Sequence, residues 1–486
     1  MSLDVSGFDQ EVRGGEVVIK VADDHRLVHL GQHLPWEALL ELARPDLERT
    51  ERGCYWMGRP LRVRIHLGIY LLQQLFDLTD RVTEQQVRDN AAFRLFCGYG
   101  HLRYWHVPDH TKIEAFRSRL SPETQRAIAN IISQQAVRLG YANPSELDID
   151  STVQKANIAY LAITNLLIKV AILASRVGKA MSQHCHDGAA LYQVKLSYLK
   201  QLALYYFNLK RRGASTEVVS VVLKRLWQDT YASVLAILNH LHELGPLLTE
   251  KEIRLRRAVE QLRWRGALLL ERLHGHLFEG ESTSAILSLH AYEVTCFNKG
   301  KLNKTLEFGR AYQLGRIGGN FLFVSPCVSL HMPDAQSLPL VLYTHEGLFG
   351  QKTLDSIATD KGYYAYDNEQ LLIQMNVTDI YLPRPRRELN APKETSSFAT
   401  RLALHNRRAG IEALISHAKS GGQLGRSRMK SDNTTLSAGY ACVLGFNLRQ
   451  LTRYLAGEVR PKNVNLLENE TKNGILDNKI TNPLAA

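Results

Sequence analysis

The sequence predicts a mixed α/β protein in which a large helical block interrupts a sheet-forming domain. Residues 1–140 carry closely spaced helix-start signals. At Glu146 the pattern changes to LDIDSTV, where β-branched residues alternate with carboxylates as they do in strands. Helical periodicity returns from about Ala159 to Phe278, and strand patterns resume at Ala285. We therefore expect the strands on both sides of the helical block to belong to one sheet.

Helix starts in the first 140 residues are indicated by capping signals. Two pairs have the spacing of a capping box, and a third combines an N-cap serine with a proline at the first helical position. They are Thr83 with Gln86, Thr111 with Glu114, and Ser121 with Pro122. Short helices at this density are typical of a small DNA-binding domain and equally of a bundle that only packs on its neighbours.

The second half of the chain alternates strand and helix signals. The turn-like NKGKLNK between two β-rich runs predicts a hairpin, and the apolar run Leu338–Tyr343 predicts another strand. A further strand should end next to Asp360. A helix over 397–419 should stop at Gly421 and Gly422. The predicted parts are a helical N-terminal DNA-binding domain (1–140), a catalytic domain in two pieces (141–158 and 283–456), a helical insertion (159–282) and a disordered tail (457–486).

The charge balance favours a polyanionic partner. The chain has 60 Lys and Arg against 48 Asp and Glu, a net charge of +12, and cations that neutralise phosphates release condensed counterions. Many basic proteins bind no nucleic acid, so charge alone does not decide the matter. Basic residues of the insertion are candidates for phosphate contacts or a dimer surface; they are Lys210, Arg211, Arg212, Lys224 and Arg225.

Compartment and redox state follow from what the sequence lacks. No apolar stretch of roughly 18 residues is free of charge, and the start MSLDVSGFDQEV has no apolar core of a secretory signal. The six cysteines are far apart and form no C-x-x-C pair, which argues against a disulfide framework and a zinc ribbon. We expect a cytoplasmic protein with reduced thiols.

Three carboxylates stand where metal ligands are expected. Asp150 and Asp360 end predicted strands, and Glu412 lies inside a predicted helix. Phosphodiester cleavage by two Mg²⁺ ions about 4 Å apart needs carboxylates that converge from separate elements. Arg408 and Lys419 fall on the same helix face as Glu412, where they would hold flanking phosphates. From spacing alone, an ordinary exposed Arg–Glu pair is the favoured explanation of this face.

The block HNRRAGIEALISHAK resembles the third catalytic block of bacterial insertion-sequence DDE transposases. That block reads Tyr, two residues, Arg, three residues, Glu, six residues, Lys. Arg408, Glu412 and Lys419 match its spacing, whereas His405 stands where the family has Tyr. Other segments resemble the family's remaining blocks in the same order: VRDNAAFRLFCGYG with VPDHTKIEAFRSRL, LDIDST, NKGKLNKTLEFGRAYQL, ATDKGYY and LGFNLRQL.

The resemblance implies an RNase H-like fold in which Asp150, Asp360 and Glu412 are catalytic and hold two Mg²⁺ or Mn²⁺ ions. It also implies that Arg408 and Lys419 lie near the transposon end. We expect further DNA contacts from Lys299, Lys301, Arg426 and Arg428. The partners would be transposon-end and target DNA and a second copy of the chain in the synaptic complex, with no membrane, and the protein would associate with the nucleoid.

The implied activity is transposition. The protein would bind the terminal inverted repeats of its own element, cleave DNA strands by metal-ion hydrolysis and transfer the 3'-hydroxyl ends to target DNA. Two alternatives stay open: a non-catalytic DNA-binding protein, decayed or retained, and a metal-dependent nuclease that cuts without joining. Trp264, between Arg263 and Arg265, fits a residue that stacks on an unpaired base, but a partly buried helix residue is the favoured interpretation.

Overall fold

In a computed structural model of the protein, the described residues are 21–48, 55–56, 59–60, 62–99, 107–157, 163–184, 192–243, 253–280, 294–301, 304–327, 332–384, 397–429 and 432–460. Within them the chain is mostly helical around a mixed sheet, which confirms the predicted fold class at this level. The predicted disordered tail lies outside the described residues except for 457–460. The four cysteines that the structure describes form no disulfide; they are Cys97, Cys296, Cys327 and Cys442.

The strands of the described chain are β1 (Tyr55–Trp56), β2 (Arg59–Pro60), β3 (Asn143–Lys155), β4 (Thr295–Lys301), β5 (Lys304–Gly318), β6 (Phe321–Val324), β7 (Ser356–Ala358) and β8 (Asp379–Tyr381). The main sheet has the order β4-β5-β3-β7-β8, and β6 also pairs with β5. β5 is antiparallel to β3, β4 and β6, whereas β7 is parallel to both β3 and β8. The predicted strand at LDIDSTV and the predicted hairpin of β4 with β5 are both confirmed.

The helices surround this sheet and form the insertion. They are α1 (Arg26–His33), α2 (Trp36–Glu48), α3 (Val63–Leu75), α4 (Asp80–Asp89), α5 (Ala91–Phe96), α6 (His110–Arg119), α7 (Pro122–Arg138), α8 (Ile163–His184), α9 (Leu196–Arg211), α10 (Thr216–Asn239), α11 (Ile253–Glu260), α12 (Ala267–His274), α13 (Asp334–Phe349), α14 (Tyr366–Gln374), α15 (Phe398–Ser420) and α16 (Asp432–Leu455). Short 3₁₀ turns lie at Leu241–Glu243 and Lys361–Tyr363, and π-helical turns at Gln261–Gly266 and Gly275–Glu279.

One of the three predicted helix starts is correct. The Ser121 hydroxyl accepts the Thr124 N–H at the start of α7. The other two are wrong by a few residues, because different side chains supply the capping oxygen. Thr79 caps α4, and Asp109 caps α6 by accepting two backbone N–H groups. Thr83 instead lies buried within α4 and donates to the Thr79 carbonyl.

The predicted strand at Leu338–Tyr343 is wrong, because this run lies inside α13. The buried residues of α13 recur every three or four positions, which is the period of a helix face packed on a core. They are Ser337, Leu338, Val341, Leu342 and His345. An apolar run of six residues fits a buried strand and a buried helix equally well.

Two hydrophobic clusters organise the described chain. The first joins the N-terminal helices to the sheet, α15 and α16; for example, the Asn130 amide of α7 exchanges two hydrogen bonds with the backbone of Val324 in β6. The second lies within the insertion, where the buried Trp227 indole donates to the Leu270 carbonyl. The insertion therefore buries apolar surface of its own, between the end of β3 and the start of β4.

Candidate active site

The candidate site lies where β3 and β7 run side by side. Asp148 and Asp150 point to the same face of β3, because side chains alternate along a strand. Asp148 is in register with Ala358, the last residue of the parallel strand β7. Asp360 follows Ala358 by two residues, just as Asp150 follows Asp148. Asp150 and Asp360 thus each lie two residues beyond the last pair that joins β3 to β7.

The helix that carries Glu412 is fixed to this face by a buried carboxylate. Asp148 is 3% exposed, and its two oxygens accept from the Arg407 Nε at 2.8 Å and the Arg316 Nη1 at 3.0 Å. Arg407 also donates to the Ser356 hydroxyl at 2.6 Å, so it ties α15 to both β3 and β7. The Arg316 guanidinium packs against α15 at Gly410. A Cβ at position 410 would lie 2.3 Å from Arg316 Nη1, so a larger residue there would displace the guanidinium.

Asp150 has the perturbed electrostatics of a functional carboxylate. The pKa of its carboxyl group is raised to about 6, mainly by burial and in smaller part by the nearby carboxylates of Glu412 and Asp360. The Ser151 N–H, 2.8 Å from Asp150 Oδ1, and the positive charge of Arg408 oppose this shift. Asp150 therefore lies within electrostatic range of Asp360, Glu412 and Arg408.

The Glu412 carboxylate forms an ion pair with Arg408. Arg408 Nη2 donates to Glu412 Oε1 at 2.7 Å, and the side chains are 17% and 57% exposed respectively. Asp360 is exposed and caps a 3₁₀ turn, its Oδ1 accepting the Lys361 N–H at 2.7 Å. Among the residues that the structure describes, no three His, Cys, Asp or Glu side chains are already gathered around one ion position. Glu412 would have to leave Arg408 to join a metal site.

The donor chemistry nevertheless fits a hard divalent cation. Carboxylate oxygens are the ligands that Mg²⁺ prefers in proteins. Negative charges on Asp150, Asp360 and Glu412 disfavour one another, as the raised pKa of the Asp150 carboxyl group shows. A bound cation would relieve this repulsion, whereas Arg408 relieves it for Glu412 in the protein alone.

The other predicted DNA-contacting residues have different surroundings. Lys419 is partly buried in the last turn of α15. Arg426 is exposed and makes a parallel bridge with Lys155 at the end of β3. Arg428 is exposed and contacts the Asp77 carboxylate at 3.3 Å. The side chains of Lys299 and Lys301 lie outside the described residues.

His405, which replaces the Tyr of the family block, lies one helical turn before Arg408 on α15. Its ring meets the Tyr381 ring of β8 edge to face, with centroids 5.7 Å apart. Its side chain thus lies toward the outer strand of the sheet and contributes to the packing of α15 on β8.

Arg407 and Arg316 are the residues of this site that sequence reasoning missed. A signal for Arg407 is present, since it lies four residues before the buried Ile411 and so on the inner face of α15. An arginine at a core position of an amphipathic helix requires a buried carboxylate partner. Asp148, two residues before Asp150, is that partner.

The basic residues of the insertion differ in their exposure and in their contacts. Lys210, Arg211 and Arg212 are exposed at the end of α9. Arg225 is exposed but pairs with Asp229 at 2.9 Å, and Lys224 lies over the Phe278 ring.

Trp264 is 68% exposed on a π-helical turn, with the Arg263 guanidinium 5.5 Å from its ring centroid. The favoured interpretation of Trp264 as partly buried is therefore wrong. The unusual helical turn at 261–266 is the physical reason, because it shifts the helix faces that a regular period predicts.

Replacing Asp150 by Asn should stabilise the metal-free protein at neutral pH. A carboxyl group whose pKa rises from about 4 in the unfolded chain to about 6 in the folded one lowers stability as pH rises through this window. Above pH 6 the free energy of unfolding of Asp150→Asn should therefore exceed that of wild type by about 1 to 3 kcal/mol. At pH 4 the two proteins should be equally stable. Urea unfolding in chelator at several pH values measures this. A less stable variant at pH 7 would mean that Asp150 is a stabilising ion-pair partner.

Comparisons with known proteins support a transposase-like family. Residues 16–119, which include α1 to α6, match the family model described as Transposase domain (DUF772). A stretch of 161 residues, 32% of this chain, is 26% identical to 72% of a curated Rhizobium meliloti protein described as Uncharacterized protein ORF8 in nfe locus. No solved structure matches the chain significantly. The segment matched by the family model ends before Asp150. No helix among the described residues combines the length and apolar character needed to cross a membrane.

Proposed function

We propose that the protein is a DDE transposase that cleaves the ends of its own element and joins them to target DNA. The observation that carries the proposal is that the Asp150 carboxyl group lies within electrostatic range of both Asp360, which follows the neighbouring strand β7, and Glu412 of α15. These are the three acids that the family's blocks assign to catalysis. The match of the N-terminal helices to a transposase domain supports the same conclusion from a separate part of the chain.

The sheet supports an RNase H-like fold for the catalytic domain. β5 folds back antiparallel on β3 and β6 on β5, and α13 then leads to β7, parallel on the other side of β3. α14 leads in the same way to β8, parallel to β7. This antiparallel unit extended by two parallel strands is the arrangement that the family resemblance implies.

In this proposal Asp150, Asp360 and Glu412 hold two Mg²⁺ or Mn²⁺ ions. When bound, such ions activate the attacking oxygen and stabilise the leaving oxygen of the phosphodiester. Arg408 exchanges its carboxylate partner for a phosphate of the DNA when Glu412 turns toward Asp150. Arg407 and Asp148 keep α15 fixed on the sheet, so that Glu412 moves by side-chain rotation alone.

DNA is the expected partner because the helical insertion has more basic than acidic residues. Residues 159–282 contain 17 Lys and Arg against 10 Asp and Glu, and Lys210, Arg211 and Arg212 project from one end of α9. Exposed Trp264, with the Arg263 guanidinium near its ring, can stack on an unpaired base. The N-terminal helices would bind the terminal repeats. Two ends must meet for joining, which implies a homodimer.

A strand-transfer assay tests the proposal against its two alternatives. The purified protein is incubated with DNA from the ends of the element, a supercoiled target and Mg²⁺ or Mn²⁺. A transposase yields nicked or cut ends and joined products, a nuclease yields cut ends alone, and a DNA-binding protein yields complexes without cleavage. Loss of all products in chelator, with complexes retained, is expected.

Lys419→Ala should weaken both phosphate binding and cleavage. Lys419 lies two turns beyond Glu412 on α15, where its charge can reach a phosphate next to the scissile bond. Losing one phosphate contact should lower the log-log salt slope of end binding by roughly one unit. Cleavage should fall further than affinity, since a misplaced phosphate loses its orientation in the transition state.

Affinity at several salt concentrations and single-turnover cleavage rates measure both effects of Lys419→Ala. Lys361→Ala, which removes an exposed lysine from the turn after Asp360, is a useful comparison because it lies on another element. Unchanged slope and rate for Lys419→Ala would show that this residue has no part in DNA binding.

A further inference from the structure

Tyr363 belongs to the short turn that carries Asp360. It ends the 3₁₀ turn Lys361–Tyr363, its N–H donates to the Asp360 carbonyl at 3.1 Å, and its side chain is fully buried. The phenol hydroxyl donates to Gln313 Oε1 at 2.5 Å. The turn that bears one candidate aspartate thus contacts Gln313, which is in register with Ser151, the residue directly after the other candidate aspartate.

The groups that receive Tyr363 are themselves fixed. Gln313 on β5 lies opposite Ser151 on β3, and its Nε2 donates to Asp334 Oδ1 at 2.9 Å. The buried Asn368 amide donates to the Tyr363 carbonyl at 2.8 Å and to the Ala335 carbonyl at 2.7 Å. Both ends of Tyr363 are therefore held, its phenol by Gln313 of β5 and its backbone by Asn368 of α14.

Burial and the nearby carboxylates keep the phenol protonated. They raise the pKa of Tyr363 well above its usual value, burial being the largest cause and Asp334, Asp150 and Asp360 adding to it. A neutral phenol that donates to Gln313 tolerates the negative charge around it, whereas a phenolate would add to that charge.

We infer that Tyr363 is a positioning residue that fixes the spacing of Asp150 and Asp360 for metal binding. The inference rests on the proposed function. Two carboxylates without a cation repel each other, and Asp360 lies on an exposed turn that can yield to this repulsion. The phenol resists the displacement by tying that turn to Gln313 of β5, opposite Ser151 of β3. Supporting hydrogen bonds of this kind typically govern metal affinity about 10- to 100-fold.

Manganese binding to the protein without DNA tests the inference. Free Mn²⁺ is measured by electron paramagnetic resonance during titration of wild type, Tyr363→Phe and Gln313→Met. Tyr363→Phe keeps the buried ring and removes the hydroxyl, and Gln313→Met removes the acceptor from the opposite side. Both should weaken Mn²⁺ binding about tenfold, and the double variant should be no weaker than either single one. Cleavage should be restored by raising Mn²⁺ in the same proportion.

Tyr454→Phe is the matched control. Tyr454 is equally a buried tyrosine whose hydroxyl donates one hydrogen bond, to the Gly319 carbonyl at 3.0 Å. This change should lower thermal stability without altering Mn²⁺ affinity. Equal Mn²⁺ affinity of Tyr363→Phe, Gln313→Met and wild type would overturn the inference, as would an equal loss in Tyr454→Phe. Asp150→Asn distinguishes failure of the positioning role of Tyr363 from failure of the metal site itself. If wild type and Asp150→Asn bind Mn²⁺ equally, the proposed metal site fails as a whole.

Discussion

Replacing Asp150 by Ala should lower the single-turnover rate of strand cleavage at least about 1,000-fold. The reason is that a divalent ion contributes several kcal/mol to the transition state, and Asp150 is a partly buried carboxylate within electrostatic range of the other two acids. Affinity for transposon-end DNA should stay nearly unchanged, because it comes mainly from basic contacts away from the metal ligands. Asp360→Ala should behave in the same way. Gel-based cleavage of end DNA and its binding in chelator measure the two quantities.

Asp367→Ala is the control for this loss of cleavage. Asp367 is an exposed carboxylate in the first turn of α14, seven residues after Asp360. Its replacement should leave cleavage within about twofold of wild type, because exposed substitutions away from a site have small effects. If Asp150→Ala loses binding as severely as cleavage, Asp150 has a structural role and the catalytic assignment fails.

Replacing Asp148 by Asn should lower the free energy of unfolding by about 3 to 5 kcal/mol. The change leaves the guanidinium groups of Arg316 and Arg407 without their shared carboxylate in a mostly buried position. It also loosens α15, so cleavage should fall even where the variant folds. Urea unfolding followed by circular dichroism measures the loss.

The comparison for Asp148→Asn is an exposed ion pair of the insertion. Asp229→Asn breaks the ion pair between Asp229 and Arg225 on α10. The Arg225 side chain is 61% exposed. Exposed pairs of this spacing contribute about 0.3 to 0.5 kcal/mol. If both variants lose the same small amount, the two arginines do not depend on Asp148 and the proposed anchor of α15 is wrong.

Strands and helices could be predicted where the sequence pattern is long or is bounded by turn or helix-stop residues. The alternation in LDIDSTV, the β-rich runs on both sides of NKGKLNK and the helical segment that stops at Gly421 each mark their element, and the structure has the strand, the β4–β5 hairpin and the helix. The run Leu338–Tyr343 failed because six apolar residues carry no period long enough to separate strand from helix. Domain boundaries and catalytic roles stay predictions.

The candidate site shows a different limit of sequence reasoning. Asp150, Asp360 and Glu412 were identifiable through their place in family blocks, since each block is local in sequence. Arg316, Gln313 and Tyr363 were not, because their roles depend on the pairing of β5 with β3 and of β3 with β7. Sequence distance hides such partners until the register of the sheet is known.

The position of the insertion has a consequence for how the chain folds during synthesis. β3 pairs with β5 along most of its length, but the whole insertion is synthesised between them. At about 15 residues per second, β3 waits on the order of ten seconds for its partner with both hydrogen-bonding edges open, since β7 is synthesised later still. The insertion can collapse around Trp227 and its neighbours in that interval. Its compaction brings the two strands closer and reduces the loop-closure entropy that their pairing must overcome.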